Sequence, residues 1–384
     1  VLKDIFQKAA WIEAFRVFAF SRVLLISLTF VAQRFPLNGQ TIPRNCVSSN
    51  DCLLSWFHFD VLAFTSIAQH GYTHIQDTVF FPLWPLILRL HLLFGANVIS
   101  AYLTGLFLAN LCFYLALVML YLLIGKLFDP IIARNSLFYI SFSPYALYFF
   151  AAYSESLFLL LSLAVFICLE HEYWNLAGVF GGLAALTRSQ GFLLVVPFIV
   201  VVVQYIQSNQ RSWRQKLRAA IPVVFIPLGI IIYVAYLGYT FHDPLAFSTQ
   251  EATFWHRQLT FPLITVFRSF QTFFSSYTVD VIILNCINIL LVLLVTMALV
   301  FSWRRLPLHY TLFTLITLLF DMSYPQGVIE PLAAFGRYLI VIFPLFILLA
   351  IYGKKPQFDH LILICFLPLL GINIVLFTSH YWLA

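Results

Sequence analysis

The run "ISAYLTGLFLANLCFYLALVMLYLLIG" (99–125) carries no Asp, Glu, Lys or Arg along its whole length. An α-helix crosses the hydrocarbon core of a bilayer in about 20 residues, so this run is long enough to span it. Similar runs fill most of the chain, at about 15–34, 135–152, 155–170, 175–187, 190–207, 219–240, 280–301, 308–323, 337–352 and 360–383. They are too long for the strands of a membrane barrel, which need about 10 residues each. Across all 384 residues 62% are hydrophobic and only 9% charged, against about 25% charged in a soluble domain. The sequence therefore predicts an all-α polytopic membrane protein. It has about eleven transmembrane helices in one domain over 1–384, with short amphipathic helices in the first outer loop. The first span has no small-residue cleavage site after it and reads as a retained helix.

The formal net charge of +6 is too small and dispersed for a nucleic-acid partner, and its use is to orient the spans. With the N-terminus in the cytoplasm, one side holds Lys3, Lys8, Arg16, Lys126, Arg134, Arg211, Arg214, Lys216, Arg218, Arg304, Arg305, Lys354 and Lys355. The other holds Arg34, Arg44, Arg89, Arg188, Arg257, Arg268 and Arg337. The excess favours this orientation. The long loops, about 35–98, 241–279 and 321–336, then face outward and carry Asp60, Asp77, Asp243, Glu251, Asp321 and Glu330. Long loops in compact proteins are usually functional, so any chemistry is expected on the outer or luminal side. Cys46 and Cys52 lie in one such loop, where an oxidising compartment would permit a disulfide. "FHDPLAF" (241–247) reads as a turn at Asp243 and Pro244. The apolar segment 79–95 holds Pro82 and Pro85 and is interfacial, re-entrant or an extra short span.

"FHFDVLAFTSIAQHGY" (57–72) sets one carboxylate among aromatics after an apolar stretch. Val61, Leu62, Phe64, Ile67 and Ala68 share a face at helical spacing, which predicts a helix over 61–70. Asp60 stands where an N-cap carboxylate accepts backbone N–H bonds, and Gly71 where a left-handed residue ends a helix. On this pattern Asp60 is a cap. Its neighbours His58, His70, Tyr72 and His74 open a second reading. A general base at a membrane surface deprotonates a sugar hydroxyl while the lipid part of a substrate stays in the bilayer. A zinc site is a third reading, without the HExxH spacing in its favour; no metal or other cofactor is expected.

Arg188 in "AALTRSQGFLLVVP" (184–197) lies between two apolar spans. An arginine there needs a partner. A lipid phosphate fits a guanidinium; so do snorkelling and an ion pair with Glu155. Glu155 caps its helix through Ser154 or lines a site, and Gln190 lies close to Arg188 in sequence. Arg337 and Tyr338 open a span on the outer side, as interfacial anchors or, with Arg188, as a phosphate site. No phosphate-binding GxxxxGK[ST], dinucleotide GxGxxG or GxSxG elbow is present, which removes nucleotide binding and serine hydrolysis.

Together "FDVLAFTSIAQHGY", "FFPLWPLILRL", "YSESLFLLLSLAVF", "LAGVFGGLAALTRSQGFLLVVP", "DPLAF" and "GRYLIVIFPLF" resemble, in order, the GPI mannosyltransferase II (PIG-V) family and its prokaryotic relatives, of the GT-C class of membrane glycosyltransferases. The resemblance covers about 57–346. It implies a GT-C-like fold and an inverting transfer of a sugar, most often mannose, from a polyprenyl or dolichyl phosphate. The acceptor is lipid-linked or another glycan on the outer or luminal face, as in GPI-anchor biosynthesis. The family's Trp-Asp motif matches Phe59 and Asp60, a departure at the aromatic position, and gives Asp60 the catalytic carboxylate. Its Thr-Arg motif matches Thr187 and Arg188 and puts Arg188 near the donor phosphate. Brief cytoplasmic loops and a short chain favour a prokaryotic plasma membrane over the endoplasmic reticulum. Two other readings stay open: a transporter or flippase of lipid-linked sugars, for which paired repeats are lacking, and a non-catalytic subunit that binds lipid-linked sugar.

Overall fold

A computed structural model describes residues 2–34, 49–207, 211–275 and 277–383. Among these, helices dominate and the only extended pairing is an isolated antiparallel bridge between Arg257 and Gln326. Cys46, and with it the proposed Cys46–Cys52 pairing, lies outside the described residues. Among the described residues six helices are long and apolar enough to cross a membrane: Gln7–Arg34, Val98–Leu127, Ser189–Gln207, Trp213–Phe241, Val281–Val300 and Pro356–Thr378. Shorter apolar helices, among them Trp174–Thr187, Leu308–Met322 and Phe343–Tyr352, fall where spans were expected. The protein is a multi-pass integral membrane protein.

Prolines set several of the breaks. The expected 135–152 span ends as a helix at Phe142, just before Pro144, and resumes as a 3₁₀ turn at Ala146–Phe149. The 337–352 span divides into Phe335–Leu339 and Phe343–Tyr352 around Pro344. Proline removes a backbone donor and clashes with the preceding turn, which accounts for both interruptions. The segment with Pro82 and Pro85 breaks into the short helix Leu83–Leu88 and a 3₁₀ turn, Arg89–Leu93.

The chain forms two compact units. The first comprises residues 1–69, 85–156 and 349–384. Here the first long helix packs on Val98–Leu127 and on Pro356–Thr378. Arg22 lies inside it, buried, with Nη2 donating to the Phe149 carbonyl at 3.1 Å. Its guanidinium sits 4.8 and 4.6 Å from the ring centroids of Phe18 and Phe113. Aromatic faces and a carbonyl thus compensate a charge that would be costly in lipid. Outside the spans, Asp129 Oδ1 caps the Pro130–Phe142 helix at the amides of Ile131 and Ile132, both at 3.0 Å. Lys354 Nζ donates to its other oxygen at 2.6 Å, and that bond, before the caps, holds the Asp129 carboxyl below its ordinary pKa.

The second unit comprises residues 70–84 and 157–348. Its tightest packing joins Trp174–Thr187 to Phe225–Phe241 through glycine. A Cβ on Gly182 would meet the Phe225 carbonyl oxygen at 2.6 Å, and one on Gly229 the Gly182 oxygen at 2.4 Å. Small residues let helix backbones touch in a membrane, where close packing replaces the hydrophobic drive. Phe81, Tyr233, Leu237 and Ala246 form a core against which Tyr72, Ile75 and Phe247 pack. Tyr72 of "HGY" and Phe81 of "FFPLWP" thus meet Ala246 and Phe247 of the distant "DPLAF" in this cluster.

Candidate active site

Asp60 begins the helix Asp60–His70, one residue earlier than the apolar spacing predicts. Phe59 therefore occupies the position before the helix, and it does so with φ 53°. A bulky residue in the left-handed region is strained by about 1–2 kcal/mol. Its ring meets Trp382, Phe377 and His58, with centroids 4.9, 5.7 and 4.4 Å away. This packing holds Phe59 in that conformation. At the other end Gly71 is left-handed at φ 77°, as its place after the helix predicts.

His58 is buried between Phe377 and His380, whose rings lie 4.5 and 4.6 Å away. Burial, then the facing His380, drives the His58 pKa down to about 3, against weaker support from the Phe377 and Ser55 backbones. The ring is neutral at physiological pH and so provides no cation for a phosphate. His380, itself left-handed at φ 64°, belongs with Phe377 and Trp382 to the C-terminal wall of this loop. That wall went unrecognised in the sequence, where it reads as the end of a span.

Of the histidines near Asp60 in the sequence, His58 lies with it in the first unit, and His70 and His74 lie in the second. His70 closes the far end of an eleven-residue helix, about 15 Å along its axis at 1.5 Å per residue, and is exposed. Tyr72 and His74 belong to the second unit. Tyr72 donates its hydroxyl to the Phe80 carbonyl at 2.6 Å, and burial chiefly raises its pKa. The His74 amide donates to Asp77 Oδ2 at 3.2 Å. The expected turn at 243–244 is present, with the Leu245 amide on Asp243 Oδ1 at 3.0 Å. Among the described residues no three His, Cys, Asp or Glu side chains group as ligands for a cation. Glu155 opens the helix Glu155–Glu170 and is completely buried.

Arg188, Gln190, Arg337 and Tyr338 all lie in the second unit, and three of them join one polar cluster there. Arg188 has extended backbone between Trp174–Thr187 and a 3₁₀ turn. The chain then folds back so closely that a Cβ on Gly191 would meet the Ala184 carbonyl oxygen at 2.3 Å. Glycine is required for this turn, and the turn aims Arg188 and Gln190. Arg188 Nε donates to Gln190 Oε1 at 3.1 Å, and Gln190 Nε2 to Asp321 Oδ1 at 2.6 Å. The guanidinium lies 5.7 Å from the Tyr338 ring centroid.

Arg257 approaches the same ring, at 5.6 Å. The sequence had marked it only as an outer-loop cation. Its loop is pinned by Thr260 N to Ser323 O at 2.8 Å and Gly327 N to His256 O at 3.1 Å. Arg257 Nη1 donates to the Tyr338 hydroxyl and Nη2 to Gln326 Oε1 at 2.9 Å. Burial works against its charge, but Tyr338 and Glu251 outweigh burial and raise its pKa above the usual value. Arg337, buried on the helix Phe335–Leu339, adds a like charge beside it. Asp321 sits in the last turn of Leu308–Met322, not in a loop, and interacts electrostatically with Arg188 and Arg257. A carboxylate ending an apolar helix was the one signal in the sequence that could have singled it out.

Residues 13–240 match the model of the Mannosyltransferase (PIG-V) family. GPI mannosyltransferase 2 of Yarrowia lipolytica is 29% identical over 198 residues, which is 50% of this chain and 53% of that protein. GPI mannosyltransferase 2 of Schizosaccharomyces pombe is 28% identical over 147 residues, 38% of this chain and 32% of that one. The chain thus spans about half the length of the first relative and a third of the second. Among solved structures, an Archaeoglobus fulgidus oligosaccharyltransferase tethered with an acceptor peptide superposes with a TM-score of 0.48 at 13% identity, over 96% of this chain and 55% of that one. The family match takes in Asp60 and Arg188 and covers more than half of the 384 residues, and the chain belongs to the Mannosyltransferase (PIG-V) family.

Proposed function

We infer that this protein is an inverting membrane glycosyltransferase that moves mannose from a polyprenyl-phosphate donor to a lipid-linked acceptor on the outer or luminal face. The observation that carries the reading is the family match over 13–240, which includes the helix opened by Asp60 and the turn that aims Arg188. The relatives named GPI mannosyltransferase 2 support mannose as the sugar. The distribution of lysine and arginine supports the outer or luminal side for the loop that carries Asp60.

In this reading Asp60 takes the proton of the acceptor hydroxyl as its oxygen attacks the anomeric carbon. The bond from that carbon to the phosphate oxygen breaks on the opposite face, and polyprenyl phosphate leaves with the electron pair. Charge grows on the departing phosphate, and Arg188 and Arg337 stabilise it. The chain's own groups account for both proton and charge without a nucleotide. The test is transfer of labelled mannose from dolichyl-phosphate mannose in proteoliposomes. Asp60→Asn keeps the size of the side chain and is expected to lower the rate by about 100-fold or more. An unchanged rate in a folded Asp60→Asn protein removes Asp60 as the base.

A further inference from the structure

Two features of the Arg257 cluster call for a ligand of a particular kind. Asp321 is 8% exposed, and its Oδ2 is buried with no hydrogen-bond partner among the described residues, while Oδ1 is taken by Gln190. A buried, unpaired carboxyl oxygen costs about 1–3 kcal/mol or more, so it signals a missing donor. Beside it, Arg188 and Arg257 share the Tyr338 ring. The Arg257 Nε–H is buried and makes no hydrogen bond among the described residues, only a long ion pair with Glu251 Oε2 at 3.9 Å. Tyr338 accepts from Arg257, so its own O–H keeps its donor capacity and is polarised by the cation. One orphaned acceptor therefore stands among donors that suit an anion.

The backbone supports a functional origin. His256, immediately before Arg257, has φ 54°, and Ala334, which starts the helix bearing Arg337 and Tyr338, has φ 66°. Both are non-glycine residues in the left-handed region, a strain that collects at binding and catalytic sites.

Resting on the transferase reading above, we propose that Arg257, Tyr338 and Asp321 form a headgroup site for a phosphosugar, in which Arg257 and Tyr338 hold the phosphate and Asp321 Oδ2 accepts a sugar hydroxyl. Neither partner chemistry suffices alone. A bare lipid phosphate leaves Asp321 Oδ2 without a donor, and a neutral sugar makes no use of the cationic Arg257 and its Tyr338 partner. Asp321 is thus a specificity-determining residue. A site built to bond a hydroxyl discriminates strongly against a ligand that lacks it.

The test measures Kd for the full chain in nanodiscs with three probes: polyprenyl phosphate, its mannosyl ester, and neutral polyprenol. Wild type is expected to prefer the mannosyl ester to the bare phosphate and to ignore polyprenol. Asp321→Asn keeps an acceptor for Gln190 but puts an NH₂ where the sugar hydroxyl would donate. It is expected to lose at least about tenfold for the mannosyl ester and to bind bare polyprenyl phosphate as wild type does, which also shows that it is folded. Arg257→Gln is expected to weaken both phosphates by about tenfold or more. Should either variant fail to fold, Asp321→Ala, which removes the acceptor, and Arg257→Met, which removes the charge, carry the same expectations. Competition by free mannose 1-phosphate separates a soluble headgroup from a lipid-borne one. Displacement sensitive to both variants, with the lipid ester indifferent to them, keeps the site and overturns its lipid source. Wild-type affinity of Asp321→Asn for the mannosyl ester, or of Arg257→Gln for both phosphates, overturns the proposal. Mannose transfer that depends on Asp60 with neither variant altering binding removes the site and keeps the transferase. The two-variant pattern without transfer does the reverse.

Discussion

At the scale of the residue, Phe59 and His58 show how the loop before Asp60 is held. Phe59 accepts a left-handed backbone because its ring is fixed by Trp382, Phe377 and His58. His58 is part of the same packing and stays neutral for it. The consequence is an acid-labile loop. The folded pKa is near 3 and the unfolded one near 6.5, so between these values the unfolded chain binds the extra proton. Stability is complete above about pH 6.5 and falls as pH drops toward 3, by up to about 1.4 kcal/mol per unit. His58→Phe keeps an aromatic ring and removes the proton. Thermal melting in detergent between pH 7 and 5 is expected to decline less in that variant than in wild type, and equal declines would show that His58 does not titrate in the unfolding reaction.

At the scale of the element, glycine decides which helices touch and where the Arg188 turn goes. A leucine at Gly182 would drive a side chain into the Phe225 carbonyl, 2.6 Å from where its Cβ must lie. Gly182→Leu is expected to lower the melting temperature sharply, with a cost of about 3 kcal/mol or more from overpacking against backbone that cannot yield. Gly191→Ala meets the Ala184 backbone at 2.3 Å and is expected to displace Arg188 and Gln190. Its signature is weakened binding of polyprenyl phosphate beyond any loss of stability, measured on the fraction that remains folded. The helical face of Asp60–His70 and the glycine after it were legible in the sequence, because periodicity and the φ preference of glycine are local. The left-handed Phe59 was not, since nothing in its own chemistry favours that region and only distant rings sustain it.

At the scale of the whole molecule, the membrane fixes most of what can be read directly. The expected spans fall on helices almost throughout, and motif and position single out Asp60, Arg188 and Arg337 as the candidates to test. The orientation is testable by labelling in a variant stripped of its native cysteines. A cysteine at Thr73 is expected to react with a membrane-impermeant maleimide in right-side-out vesicles, and one at Ser212 only after permeabilisation. The opposite pattern would invert the assignment of the loops.

The sequence by itself determined the class of fold and the family. Bilayer thickness fixes helix length, and an unpaired backbone is forbidden in lipid, so hydropathy alone marks the spans. What only the tertiary structure decided is which polar groups converge. Gln190 reaches Asp321 across 131 residues, and Arg257 reaches Gln326 across 69 and Tyr338 across 81. A hydrogen bond acts over about 3 Å, and no periodicity in the chain encodes a distance of that kind between segments so far apart in sequence.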